Sequence, residues 1–119
     1  MERELWRWDA VELAAAIRTR KVSSREAVQS VLERLEAVNP AINAVTVVLA
    51  EPALADADAA DAAVKRGEAL GMLHGVPVTI KENIDQTGQA TTNGIVAYKD
   101  VIATSDSPPV ANWKRAGAV

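Results

Sequence analysis

The sequence predicts an α/β fold in which helices pack on an incomplete mixed β-sheet. Apolar residues recur at helical spacing near the N-terminus, and two short β-branched runs have the length of buried strands. The 119 residues, 49% of them hydrophobic, are enough for one globular domain. There is no phenylalanine and much of the apolar content is alanine, so we expect a thin core for this length.

A first helix is predicted over residues 9 to 20, with Asp9 as its N-cap. The face assigned to this helix comprises Val11, Ala14, Ala15 and Arg18. Trp6 and Trp8 precede it. We expect these tryptophans to anchor the helix to the rest of the molecule, although paired tryptophans can also mark a subunit interface.

A second helix is predicted over residues 24 to 38. Ser23 and Glu26 have the spacing of a capping box. Its apolar stripe is formed by Val28, Val31, Leu32 and Leu35. The Asn39-Pro40 pair should end the helix, because the residue before a proline disfavours the α conformation.

Two strands and a third helix are predicted next. Val45–Leu49 is a continuous apolar run, which indicates a strand buried on both faces. Pro52 suits the first turn of a helix that runs to about Arg66 and ends at Gly67. Val76–Ile80 has the composition of a second buried strand.

The C-terminal part contains a long irregular stretch and then a helix. Residues 85 to 106 lack periodicity and are rich in turn-forming residues, so loops with short strand pieces are predicted. Ser107-Pro108 should start a helix, and Ala118 and Val119 resemble the beginning of a further strand. The domain is thereby divided into a helical segment, residues 1–40, and the start of an α/β core, residues 41–119.

Composition argues against several classes of function. A net charge of −3 provides no basic surface for nucleic acid, and the chain has no cysteine. No apolar run approaches membrane-spanning length, and the N-terminus lacks the apolar region of a secretory signal. We therefore expect no nucleic-acid partner, no membrane association and a cytoplasmic location.

Neither a metal site nor a cofactor is predicted. Asp56, Asp58 and Asp61 lie on one predicted helix and are interpreted as its solvated face. His74 is the single histidine and has no second ligand at metal-binding spacing, so it should line the turn before the second strand. The glycine-rich motifs that bind nucleotide phosphates do not occur.

The most informative segment is Gly71 to Asp85, where the second apolar run ends on Lys81. Taken alone, this lysine beside Glu82 and Asp85 is most simply explained by an ion pair with its acidic neighbours. The segment also resembles the lysine motif of the amidase signature family. The matching residues are Gly75, Pro77, Val78, Ile80, Lys81, Glu82 and Asn83. The resemblance extends to the flanks, which are Val11–Ile17, Val22–Glu26, Thr91–Gly94 and Ser107–Val119.

This resemblance implies that Lys81 is the catalytic base of a Ser–cis-Ser–Lys triad. Asn83, Asp85 and Thr92 would support the lysine, whereas Glu82 would be solvated or salt-bridged. As a base, the lysine amine must be neutral, which burial favours and nearby carboxylates oppose. Asn93-Gly94 departs from the serine-containing version usual in the family, so a hydrogen-bonded turn is the simpler interpretation of Thr91 to Gly94.

The resemblance also implies hydrolysis of small-molecule carboxylic amides. The family's Gly-Ser-rich segment, which supplies both serines, is expected after Val119, so the 119 residues should be inactive by themselves. A complementing C-terminal part or a homo-oligomer is the expected partner. The alternatives are a non-catalytic fragment, half of a split enzyme, or part of a protein like the A-type component of a glutamyl-tRNA amidotransferase.

Overall fold

The computed structural model describes residues 4–119; residues 1–3, the start of the predicted helical segment 1–40, lie outside the described part. Four α-helices and two single 3₁₀ turns are formed. The α-helices are α1, Ala10–Arg18; α2, Ser24–Ile42; α3, Ala50–Arg66; and α4, Pro108–Arg115. The 3₁₀ turns are Leu5–Arg7 and Val96–Tyr98.

The prediction of a mixed sheet is wrong, because residues 4–119 form no β-strand. One isolated antiparallel bridge joins Ala90 to Ile102. Val45–Leu49, predicted as a buried strand, lies in the bent connection between α2 and α3. The Asn39 side chain takes the place of a neighbouring strand there: its Oδ1 accepts from the Val45 N–H and its Nδ2 donates to the Val45 carbonyl, each at 2.9 Å.

Val76–Ile80 is likewise not a strand, although part of its backbone is paired. The Val119 N–H donates to the Val76 carbonyl at 2.9 Å, and the Val78 N–H donates to the Val119 carbonyl at 2.8 Å. This is the hydrogen-bond pattern of a parallel pair. It involves a single residue of the C-terminal segment, so the apolar pattern was read correctly for extended backbone but not for a sheet.

The helix N-termini agree with the sequence pattern. Asp9 accepts a hydrogen bond from the Glu12 N–H at 2.8 Å, and Ser23 and Glu26 form the complete capping box. The capping hydrogen bonds from the Ser23 backbone, followed by the Ser23 hydroxyl, lower the pKa of Glu26. At the other end of α3, Gly67 has a φ of +71° and terminates the helix as predicted.

The ends of α1 and α2 differ from the prediction. α1 ends at Arg18, two residues early, and α2 continues past Pro40 to Ile42. Proline removes one N–H from a helix but leaves the following carbonyl and amide groups able to bond. Asn43 ends α2 in the left-handed conformation, with φ +47°, and its N–H donates to the Asn39 carbonyl at 2.7 Å.

The face assigned to α1 was also wrong. Val11 is 79% exposed and Ala15 is exposed, whereas the next positions along the helix are buried. The core between α1, α2 and α3 contains Leu13, Ala14, Ile17, Ala27, Val64 and Val76. Trp8 packs against this core, and the Trp6 ring lies between the guanidinium groups of Arg7 and Arg34. Both contacts agree with an anchoring role for the tryptophans.

The segment that leads to Lys81 is fixed to the helices through backbone groups. The buried Ser24 hydroxyl donates to the Gly75 carbonyl at 2.7 Å, and His74 Nε2 donates to the Ala60 carbonyl at 2.9 Å. Gly75 has a φ of +76°, and a Cβ there would lie 2.9 Å from the Ser24 Cβ. Only glycine therefore fits this contact, which sets the position of the chain six residues before Lys81.

Candidate functional site

Lys81 lies directly after the extended segment, at the start of a turn. Its carbonyl accepts a hydrogen bond from the Ile84 N–H at 3.0 Å, and its side chain is exposed. Within residues 4–119 the Lys81 ammonium forms no ion pair. The simplest explanation of the sequence pattern, a salt bridge to Glu82 or Asp85, is thus absent from the described part of the chain.

Glu82 is bound to Thr92, ten residues later in the chain. The Thr92 N–H donates to Glu82 Oε1 at 2.7 Å, and the Thr92 hydroxyl donates to the same oxygen. The hydroxyl hydrogen bond is the main cause that lowers the pKa of Glu82, against an opposing effect of burial. Glu82 is therefore an ionised acceptor committed to the Thr92 turn.

Asp85 makes the parallel contact with Thr91. The Thr91 hydroxyl donates to Asp85 Oδ1 at 2.6 Å. The Asp85 carbonyl also accepts from the Ser107 N–H at 3.0 Å, which connects the turn to the residue before α4. Two consecutive threonines thus bind the two carboxylates that follow Lys81 in sequence.

The Thr92 end of these contacts is a tight turn. The Ile95 N–H donates to the Thr92 carbonyl at 2.9 Å, and the Gly94 N–H donates to the Thr92 hydroxyl oxygen at 3.1 Å. Asn93 and Gly94 both have positive φ, at +51° and +74°. The Thr92 hydroxyl thereby uses its one proton for Glu82 and a lone pair for the turn.

A further carboxylate fixes the same loop to α4. Asp106 accepts from the Thr87 N–H at 2.8 Å, from the Thr87 hydroxyl at 2.9 Å and from Lys114 Nζ at 2.7 Å. The Lys114 hydrogen bond, followed by those of Thr87, lowers the pKa of Asp106 to about 2. This link ties the start and the end of the irregular stretch to the last helix.

The structure brings together some of the site residues that the sequence suggested. Asp85 and Thr92 both lie in the turn network beside Lys81, but Asn83 is exposed and its side chain makes no hydrogen bond within residues 4–119. Sequence reasoning gave Glu82 no positioning role. A pairing between residues ten apart in an irregular loop has no periodic signal, so only the adjacency of two threonines could have pointed to it.

Two other features lie outside this site. A groove of about 760 Å³ runs between α2 and the start of α3, with Leu32, Leu35 and Leu54 in its lining, and it contains no residue of the Lys81 loop. The described residues contain no group of three metal-ligating side chains. In the described residues, none of the helices combines the length and the apolar character needed to cross a membrane.

Comparisons with known proteins agree on one family. The Amidase family profile matches residues 26–119. Indoleacetamide hydrolase from Bradyrhizobium diazoefficiens is 52% identical over 115 residues, covering 97% of this chain. The A-type component of the glutamyl-tRNA(Gln) amidotransferase from Moorella thermoacetica is 39% identical over 116 residues, covering 98% of this chain.

A solved structure shows the same relationship. A bacterial aryl acylamidase described as belonging to the amidase signature enzymes superposes with a TM-score of 0.89 at 28% identity, covering 94% of this chain. The match covers 24% of the aryl acylamidase, 22% of the indoleacetamide hydrolase and 24% of the amidotransferase component. The chain therefore spans about a quarter of the length of these relatives.

Proposed function

The chain belongs to the amidase signature family, and we propose that it supplies the lysine base to an enzyme that hydrolyses carboxylic amides. The catalytic group is Lys81. The two serines and the oxyanion donors of the triad would come from the three quarters of the family's length that these 119 residues do not span.

The observation that supports this role is the absence of a carboxylate partner for Lys81 within residues 4–119. A base must have an unprotonated amine, and a carboxylate held against the ammonium would favour the protonated form. Glu82 and Asp85 are the acidic residues nearest in sequence, and both are bonded to threonines. The amine is consequently available for a serine hydroxyl.

The proposed chemistry is a relay of one proton. The neutral Lys81 amine accepts the proton of the bridging serine, which accepts the proton of the nucleophilic serine as its oxygen attacks the amide carbonyl. The proton returns to the departing nitrogen, and ammonia or an amine leaves. Water then attacks the acyl-serine ester by the same relay, which releases the carboxylic acid and the free serine.

The substrate class that we propose is a primary amide of an arylacetic acid. The support is the 52% identity to an indoleacetamide hydrolase, compared with 39% to the amidotransferase component. Indole-3-acetamide is therefore the first substrate to test. Glutamine hydrolysis coupled to tRNA-dependent amidation is the second candidate function.

A chimeric enzyme tests the proposal. Residues 1–119 replace the matching segment of the Bradyrhizobium indoleacetamide hydrolase, and ammonia release from indole-3-acetamide, benzamide and glutamine is measured. We expect indole-3-acetamide to be hydrolysed, and Lys81→Ala to reduce the rate by about 10²–10⁴-fold. A folded chimera whose turnover survives Lys81→Ala would refute the proposed role of Lys81.

A further inference from the structure

We infer that Thr91 and Thr92 are positioning residues that hold Asp85 and Glu82 away from the Lys81 amine. The inference extends the proposed function, because it concerns how the same lysine is kept ready to accept a proton. The pair of contacts between Thr91–Thr92 and the two carboxylates is called the threonine clasp below.

The clasp is argued from the direction of its hydrogen bonds. Each threonine hydroxyl donates its single proton to a carboxylate, Thr92 to Glu82 and Thr91 to Asp85. Glu82 receives the Thr92 backbone N–H as well, so one oxygen of this carboxylate accepts two donors. Without the clasp, the Glu82 carboxylate would be one residue from an exposed ammonium with which to pair.

The clasp also has a fixed anchor. Thr92 is held by the Asn93-Gly94 turn, in which the Gly94 N–H donates to the Thr92 hydroxyl oxygen. Asp85 is held by the Ser107 N–H at its carbonyl. Both carboxylates are therefore bound to a loop that is itself attached to the residue before α4, rather than to mobile surface side chains.

The test measures the chemical reactivity of Lys81 and needs no turnover. The 119-residue chain is labelled with a limiting amount of acetic anhydride at pH 8, and peptide mass spectrometry gives the labelling rate of Lys81 relative to Lys65. Lys65 lies exposed in the last turn of α3 and serves as the internal reference. Only the neutral amine reacts, so a new ion pair slows labelling.

We expect Thr92→Val to free Glu82 for pairing with Lys81 and to slow Lys81 labelling by about two- to fivefold, the range of an exposed ion pair. Thr92→Ser keeps the hydroxyl and should restore the wild-type ratio. The double variant Glu82→Gln/Thr92→Val lacks the competing carboxylate and should also restore it, which general misfolding would not do.

Two results would overturn the inference: an unchanged Lys81 ratio in Thr92→Val, or a slowed ratio that persists in the double variant. Failure of the proposed function is recognised separately, because it appears as residual turnover in the Lys81→Ala chimera. The labelling ratio is independent of that turnover.

Discussion

The charge of Asp106 is set by the donors that surround its carboxylate. Lys114 and two groups of Thr87 bind it, and they lower its pKa from the ordinary 3.8 to about 2. A depressed folded-state pKa means that the ionised group stabilises the folded chain above pH 3.8, and that this contribution is lost as the pH falls through about 2.

Acid titration should reveal this link directly. We expect the NMR shift of the Thr87 amide to titrate with a midpoint near 2, well below that of an unperturbed aspartate, because its acceptor is then protonated. Asp106→Asn is the control and should remove this titration. A Thr87 midpoint near the ordinary aspartate value would show that the three hydrogen bonds are not formed in solution.

At the residue scale the sequence indicated the lysine but not its surroundings. The motif from Gly75 to Asn83 identified Lys81, and Asp85 and Thr92 do lie in one network beside it. The role of Glu82 was missed because an acidic residue next to a lysine suggests an ion pair. Only the three-dimensional course of residues 82 to 92 shows that Thr92 binds this carboxylate instead.

At the scale of elements, the N-terminus of α2 receives a cap from another helix. Asp61 on α3 accepts from the backbone N–H groups of Ser24 at 2.7 Å and of Arg25 at 3.1 Å. These amides carry the positive end of the helix dipole, so a carboxylate is favoured there. The interpretation of Asp61 as part of a solvated face was therefore wrong. Asp58 on the same helix pairs with Arg25.

Removing the Asp61 charge should destabilise the chain. Asp61→Asn keeps one acceptor oxygen and loses the second, and we expect a loss of about 0.5–2 kcal/mol in the free energy of unfolding. Asp56→Asn, at an exposed position of the same helix, is the matched control and should have little effect. Urea denaturation measures both. Equal stability of the two variants would contradict the capping role.

Elements were predictable where the signal is local. Caps, proline and glycine located the starts of all four α-helices to within two residues, because each cap acts through its own neighbours. The strands were not predictable in this way, since Val45–Leu49 and Val76–Ile80 are apolar runs whose pairing depends on distant backbone. In residues 4–119 one run is closed by Asn39 and the other bonds to Val119 alone.

For the whole molecule, the surface is large for the chain length. The chain exposes 7914 Å², compared with about 6200 Å² expected for a globular protein of this length. Its radius of gyration is 15.1 Å, compared with about 13.5 Å expected. The exposed large apolar residues include Val47, Val48, Met72, Ile95, Val96, Val101 and Ile102.

This exposed apolar surface should cause the 119 residues to associate. Burial of such surface is favourable and non-directional, so we expect the weight-average sedimentation coefficient to rise with protein concentration. The Met72→Ser/Val96→Ser variant, altered at two of the most exposed apolar positions, should associate less. A single monomeric species at every concentration would contradict this expectation.

The most direct test of the whole account is the hydrolysis rate of the chimeric amidase carrying Lys81→Arg. Arginine keeps the positive charge but cannot lose its proton at working pH. The account predicts a fall of about 10²–10⁴-fold in the rate on indole-3-acetamide, and near-normal activity for the exposed control Lys65→Arg. A Lys81→Arg enzyme with a near-normal rate would show that Lys81 is not the base.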